Sequence, residues 1–404
     1  MANNFAYIEK TLPGVFDEVY FTQSITERFF KNNTIIKGWD AAGRVAKIFN
    51  LATSGYTTYN RGGSGNANSD GSVVSRLESF QLSQERYASF LVDKLDSIDD
   101  QESVLGHLAK HFADTQHTYE LDTYRLSKIA SYASSTLGNY VSEAIAANTI
   151  YSKISAGFKW LANRHIKKQD IVIFASVSSM ALIRESTELS RVLRNDEITS
   201  DYNGKKVTLS VENLDGCPII EVPDDTLYTD AVTGTNGIAP KSTSKLINFL
   251  MVDKNAPVAI QHLAWSKVYD SDETDLGYVG NKLAFLLYHD CFVPENKVAG
   301  IYASVSTTAA TARELLVNAV AGTTTGKTIV KNVLTQPEGI AYDKLYVYTT
   351  NGTAPAIGSS TSGLTQVTLG SEITPNASHN IFVASLDGKA VAVSKDFTST
   401  LPVA

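Results

Sequence analysis

The chain has 404 residues, 43% of them hydrophobic and 19% charged, which allows two or three domains with their own cores and excludes a disordered or fibrous protein. Against 42 acidic residues stand 35 Lys and Arg, scattered along the chain, and the formal net charge of −7 excludes tight nucleic-acid binding. No run approaches the roughly 18 apolar residues of a membrane helix.

The opening MANNFAYIEKTLPG lacks a basic region followed by an apolar one, so no secretory signal is read. The first 50 residues show no strong periodicity and predict an extended arm. Strand-like runs around Val45–Leu51 and Leu77–Val92 then flank GYTTYNRGGSGNANSDGSVVS, whose Gly, Asn and Ser make turns and do not fill cores. Two strands joined by a polar tip predict a long projecting hairpin.

Val104, Leu108 and Phe112 recur at i+4, and Leu121, Tyr124, Leu126 and Ile129 continue the stripe. With Ser97 as cap, Asp99, Asp100 and Glu102 in the first turn and Gly138 as stop, one long helix or two nearly collinear ones should end near 137. A second helix is expected over 140–165, with RHIKK at 164–168 as its basic C-terminus.

From Asp170 the texture becomes α/β. DIVIFAS reads as a buried strand, SSMALIRESTELSRVL as a helix, and KVTLSVENLDGCPIIEVP as two strands about the Asp215–Gly216 turn. KLINFLMVDKNAPVAIQHL and LAFLLYHDCFVPENKVAGIYAS supply further core strands. SVSTTAATAREL is linker-like. Beyond it TIVKNVL, KLYVYTT, LTQVTLG, HNIFVASL and KAVAVSKDF predict a small antiparallel β-sandwich.

AGTTTGKT, residues 321–328, satisfies the relaxed phosphate-loop pattern. Such a loop needs a following helix whose N-terminus holds the phosphates, whereas IVKNVLTQP is β-branched, short and ended by proline. The match is read as a coincidence. SDETDLG at 271–277 breaks the alternation a calcium loop needs, and GGSGNANSDG at 62–71 occurs once, so both are read as loops. The seven histidines are dispersed, and His107 and His111 lack the glutamate of a zinc-protease helix. Cys217 and Cys291 have no metal-type spacing, exclude a disulfide framework, fit a reducing compartment and read as buried hydrophobes. No catalytic, cofactor or metal site is predicted.

The order of parts resembles the major capsid proteins of tailed bacteriophages with the Hong Kong 97-type fold. GYTTYNRGG followed by SFQLSQERYASFLVDKLDSIDD resembles the extended loop and its return strand, and YELDTYRLSKIA a segment of the spine helix. LSVENLDGCPIIEVP resembles strands of the axial domain, and VDKNAPVAIQHL with YHDCFVPENKVAGIY the closing strands of the peripheral domain. The resemblance covers about residues 1–303.

What it implies is an α+β capsid fold; the last ~80 residues lie outside the resemblance, and their strand spacing adds a C-terminal antiparallel β-sandwich, expected to be immunoglobulin-like. The expected parts are an arm (1–50), extended loop hairpin (51–93), peripheral-domain spine helix (94–139), axial domain (140–253), closing peripheral strands (254–303), linker (304–320) and β decoration domain (321–404). Copies would tile an icosahedral shell as pentamers and hexamers around double-stranded DNA, held by weak non-specific contact. Separate scaffolding, portal and decoration proteins are the expected partners. Assembly would occur in the host cytoplasm, with the virion as destination and no membrane. Tyr56, Tyr59, Arg61, Arg76, Arg86, Glu120, Asp122 and Arg125 are the residues expected at inter-subunit contacts.

Two departures from the family are informative. No lysine lies between Lys47 and Lys94, so the loop offers no nucleophile for the lysine–asparagine cross-link some members form. No long charged helix precedes the arm, so a fused scaffolding segment is not expected. The alternatives are another phage structural protein, such as a tail tube subunit, or a surface-layer protein. A nucleotide-binding enzyme using 321–328 is the third reading.

Overall fold

The structure is a computed structural model of the chain. It describes residues 24–26, 35–39, 44–56, 71–93, 103–186, 194–202, 205–234, 237–241, 243–269, 280–310, 313–336, 340–397 and 401–402. Most of the arm, the tip of the predicted hairpin and the 271–277 loop lie outside the described residues.

The hairpin consists of antiparallel strands Val45–Thr53 and Val73–Gln81 with Phe49 opposite Leu77, and Gly38–Trp39 adds a short third strand. The single return strand expected from the sequence is two strands. Strand pairing breaks at Leu82 and Ser83, where the chain passes from one sheet to the next, and resumes as Gln84–Asp93, the edge of a three-stranded antiparallel root sheet with Gly280–Phe292 and Val258–Tyr269. Alternation carries straight through the break, so periodicity cannot reveal it.

The long helix runs Ser103–Phe112, through a π-helical turn at Ala113–His117, and on through Thr118–Ser131. It ends at Ser131, short of the predicted 137. The following residues form a turn in which Asn139 accepts from Ser134 N and donates to Ile301 O, both at 2.9 Å. Residues 140–165 are not one helix either. Tyr140–Ser142 pairs in parallel with Ala303–Val305, and helix begins only at Ile150, ending at Ala162. A sheet edge that satisfies the backbone outweighs helical periodicity at Val141.

The central sheet has seven strands in the order Tyr140–Ser142, Ile301–Ala309, Lys245–Asp253, Ile171–Ser176, Cys217–Val222, Lys205–Leu214 and Arg194–Tyr202. Every residue of Ile171–Ser176 is buried because both faces are covered. Val172 and Phe174 join Leu126 and Ile129 of the long helix, while Ile171, Ile173 and Ala175 join Ile150, Ile154 and Met180 of two shorter helices, Ile150–Ala162 and Val177–Glu185. Each fully buried aliphatic side chain here contributes about 1.5–3 kcal/mol. Gly157 lets its helix approach closely, since a Cβ there would strike Met251 Sδ and sit 3.0 Å from Tyr302.

All five strands predicted beyond residue 321 form. Two further strands, Glu314–Ala321 and Glu372–Ile373, complete one seven-stranded, mainly antiparallel sheet. Val367 from one end and Val330 near the other share a hydrophobic cluster, so the sheet curls over itself. The stretch read as a linker over 304–320 is mostly strand, belonging to Ile301–Ala309 and Glu314–Ala321. Its small Thr, Ser and Ala side chains mimic a linker in composition, while backbone pairing makes it sheet.

Candidate assembly surfaces

The hairpin divides into an anchored half and a bare half. Near its root Ala46, Ile48 and Leu82 pack against Val258, Ile260 and Phe292, and the Phe80 and Phe292 rings stack at 4.1 Å. Further out, Phe49, Leu51, Val73 and Leu77 share one face by register, and they are 63%, 69%, 65% and 51% exposed. The opposite face is mixed, carrying Asn50, Glu78 and Arg76 beside Ala52 and the exposed Val74; Asn50 donates to Glu78, and Arg76 pairs with Glu295 at 3.0 Å. Tyr56, near the end of the described strand, is fully exposed.

The junction between hairpin and root sheet is held by Asp290. Its Oδ2 accepts from Ser83 N and Ser83 Oγ, both at 2.9 Å, and its Oδ1 from Tyr124 Oη and Cys291 N, both at 2.7 Å. Burial and the facing Asp290 carboxylate push the Tyr124 hydroxyl well above the usual phenol range. Sequence reasoning missed Asp290, since a lone acid within the apolar run LAFLLYHDCF was its only signal.

Of the eight residues expected at contacts between subunits, Tyr59 and Arg61 lie outside the described residues. Arg86 and Glu120 come together as a partly buried two-point ion pair linking the root sheet to the long helix, with Nη2 to Oε2 at 3.1 Å. Asp122 is buried on the same helix. It accepts from Ser24 Oγ and Ile25 N, both at 2.9 Å, and from the backbone and hydroxyl of Thr26. Burial pushes its carboxyl up, against these hydrogen bonds and the Arg125 charge, which pull it down. Arg125, fully buried, donates to Thr26 Oγ1 at 3.1 Å. Asp122 and Arg125 therefore hold the arm residues 24–26 against the long helix within one chain.

AGTTTGKT is a hairpin turn. It joins Glu314–Ala321 to Thr328–Gln336, with Ala321 opposite Thr328 and Gly326 at φ +76°. A strand follows it, and the amides of Thr323 and Thr324 are taken by the Glu372 carboxylate at 2.5 and 2.9 Å. The side chains of Thr323 and Thr324 first, and then these amides, hold the Glu372 carboxyl down at about 2. The two cysteines are buried free thiols, pushed up by burial to about 11 for Cys217 and about 12 for Cys291. Among the described residues, no group of three or more His, Cys, Asp or Glu could share a metal ion, and no helix is long and apolar enough to cross a membrane.

No family model matches the sequence, and no curated protein is detectably similar to it. Solved structures are. The capsid of the cyanophage P-SCSP1u is 12% identical, matching 74% of this chain and 93% of its own with a TM-score of 0.54. The chain has the fold of a phage capsid subunit. The mature capsid of bacteriophage PhiM1 is also similar, at 13% identity over 75% of this chain and 92% of that one, with a TM-score of 0.49. About a quarter of the chain lies outside the cyanophage match.

Proposed function

We propose that the chain is a major capsid protein of a tailed bacteriophage, a structural and non-catalytic subunit of the Hong Kong 97 type. Its copies build pentamers and hexamers of an icosahedral shell around double-stranded DNA. The observation that carries this reading is the uncovered face of Phe49, Leu51, Val73 and Leu77 on a chain with a phage-capsid fold. A two-stranded ribbon is marginal alone and needs a surface to lie on. Repeated head-to-tail contacts of one such ribbon close into rings.

In this reading the hairpin laps over a neighbouring subunit, with Tyr56, Tyr59, Arg61 and Arg76 in contact with it. Arg86, Glu120, Asp122 and Arg125 act at the same boundary by fixing the root of the hairpin and the arm that meet the neighbour. Residues 140–253 converge on the capsomer axes. The C-terminal sheet is an immunoglobulin-like outward decoration or a clamp between capsomers. A net charge of −7 suits a wall that packed DNA slides along. Scaffolding and portal proteins are the remaining partners, with assembly in the host cytoplasm.

The test is sedimentation of the full-length chain beside a Phe49→Ser, Leu51→Ser, Leu77→Ser variant. The parent should sediment as capsomers or shells, and the variant as a folded monomer of unchanged stability. Equal assembly by both proteins would overturn the role given to this face.

A further inference from the structure

The connection between the central sheet and the C-terminal sheet spans residues 310–313, between Ile301–Ala309 and Glu314–Ala321. A tether between independent modules keeps its charged side chains in water. Arg313 does the opposite: it is only 4% exposed. Its Nε donates at 3.1 Å to the carbonyl of the fully buried Ile238. Ile238 belongs to a small hairpin of Ala231–Gly234 and Gly237–Pro240. That hairpin is itself bound to the long helix, where Ser127 Oγ accepts from Ala231 N at 2.7 Å.

Gly237 shows how closely the arginine fits. Its φ is +94°, and a Cβ at this position would fall on the Arg313 guanidinium. Burial works against the Arg313 cation and the charge of Arg86 adds to this, while the carboxylate of Glu120 on the long helix favours it. The main chain of Arg313 faces the other way, its carbonyl accepting from Val393 N at 3.1 Å in the C-terminal sheet. Just upstream, Ala310 N donates to Ser244 O at 2.9 Å on the central-sheet side. One residue thus has its backbone in the C-terminal sheet and its side chain in the core. Arg313 also borders a cleft of about 440 Å³ with Phe90 and Phe112 on one side and Leu386 and Val391 on the other.

We infer that Arg313 is a pin that locks the C-terminal sheet onto the long helix in one orientation, so that this sheet is a rigid part of the subunit wall and not a tethered ornament. A guanidinium suits the task because its planar fork of donors is pre-organised, and leaving a buried cation without its acceptor is strongly unfavourable. The pin is a property of the single chain and is independent of what the chain assembles into.

The test uses the full-length protein and its Arg313→Ala, Arg313→Lys and Gly237→Ala variants, each digested with proteinase K, with fragments identified by mass. The readout is cleavage between residues 309 and 314 divided by cleavage elsewhere, a ratio that general destabilisation does not raise. Arg313→Ala should raise the ratio roughly tenfold, the factor expected when a local opening becomes about 1.4 kcal/mol easier. Arg313→Lys, which keeps the charge and loses the Nε donor, should fall between. If Arg313→Ala does not fold, Gly237→Ala displaces the intact arginine and should give the same preferential cut. An unchanged ratio in the folded variants, or a parent already cut there as fast as they are, would overturn the pin.

Discussion

Tyr124 Oη donates to Asp290 Oδ1 at 2.7 Å, and this bond ties the middle of the long helix to the strand beneath the hairpin junction. Asp290 spends its other oxygen on Ser83, the residue at which the chain passes from hairpin into root sheet. This carboxylate therefore fastens the hairpin's root alongside the apolar packing of Phe80 on Phe292. Asp290→Ala removes the shared acceptor of the Ser83 and Cys291 amides and leaves the Tyr124 hydroxyl only its 3.3 Å contact with Ser83 Oγ, and should destabilise the chain by about 3 kcal/mol or more. Tyr124→Phe removes one donor and should cost about 1–2 kcal/mol. Urea unfolding of the two variants checks the order.

The arm latch makes a second prediction. Asp122→Ala removes the acceptor for Ser24, Ile25 and Thr26 and takes the neighbouring charge from buried Arg125. Breaking one side of a buried ionic group costs about 3–5 kcal/mol. Amide hydrogen exchange should show Ile25 and Thr26 losing protection before the central sheet does. Equal loss of protection throughout would mean that the arm is held elsewhere.

His289 predicts an acid response. It is fully buried, its ring meets Tyr124 edge-on at 5.3 Å, and neither ring nitrogen has a hydrogen-bond partner. Burial, reinforced by Arg125, His117 and Arg86, pushes its pKa down to about 3. An unfolded-state histidine titrates near 6.5, so between about 6.5 and 3 the unfolded chain binds a proton that the folded chain refuses. Stability is complete above that window and falls as pH drops through it, by up to about 1.4 kcal/mol per pH unit from this group. Urea midpoints of the parent and His289→Leu, taken from pH 7 to 4, should diverge, with the parent losing more. Parallel curves would remove His289 from the acid response.

The loop's lack of lysine gives a fourth prediction. With no lysine between Lys47 and Lys94, assembled particles boiled in detergent should run as a single monomer band. A ladder of covalent oligomers would show that another nucleophile cross-links the subunits.

Much of the fold was legible because strands covered on both faces read as unbroken apolar runs, as in Ile171–Ser176, and because turns such as Asp215–Gly216 have their own chemistry. Both residues of that turn take positive φ, +53° and +85°, as a tight hairpin turn demands. The break at Ser83, the strand at Tyr140–Ser142 and the strands inside the supposed linker were not legible. Each depends on a partner distant in sequence: Asp290 for the break, Ala303–Val305 for the strand, and Lys245–Asp253 and Thr328–Gln336 for the linker. The candidate assembly surface was half legible. The glycine-rich tip marked a projecting hairpin, but only register shows that Phe49, Leu51, Val73 and Leu77 gather on one uncovered face. Arg86 and Glu120 are expected at contacts between subunits, and the structure brings them together as a pair within one chain.

The central claim is that copies of this chain close into a shell. Negative-stain electron microscopy of the purified full-length protein, over a range of salt and with and without DNA, tests it most directly. The account predicts closed shells or isolated five- and six-fold rings; helical tubes or flat lattices would contradict it.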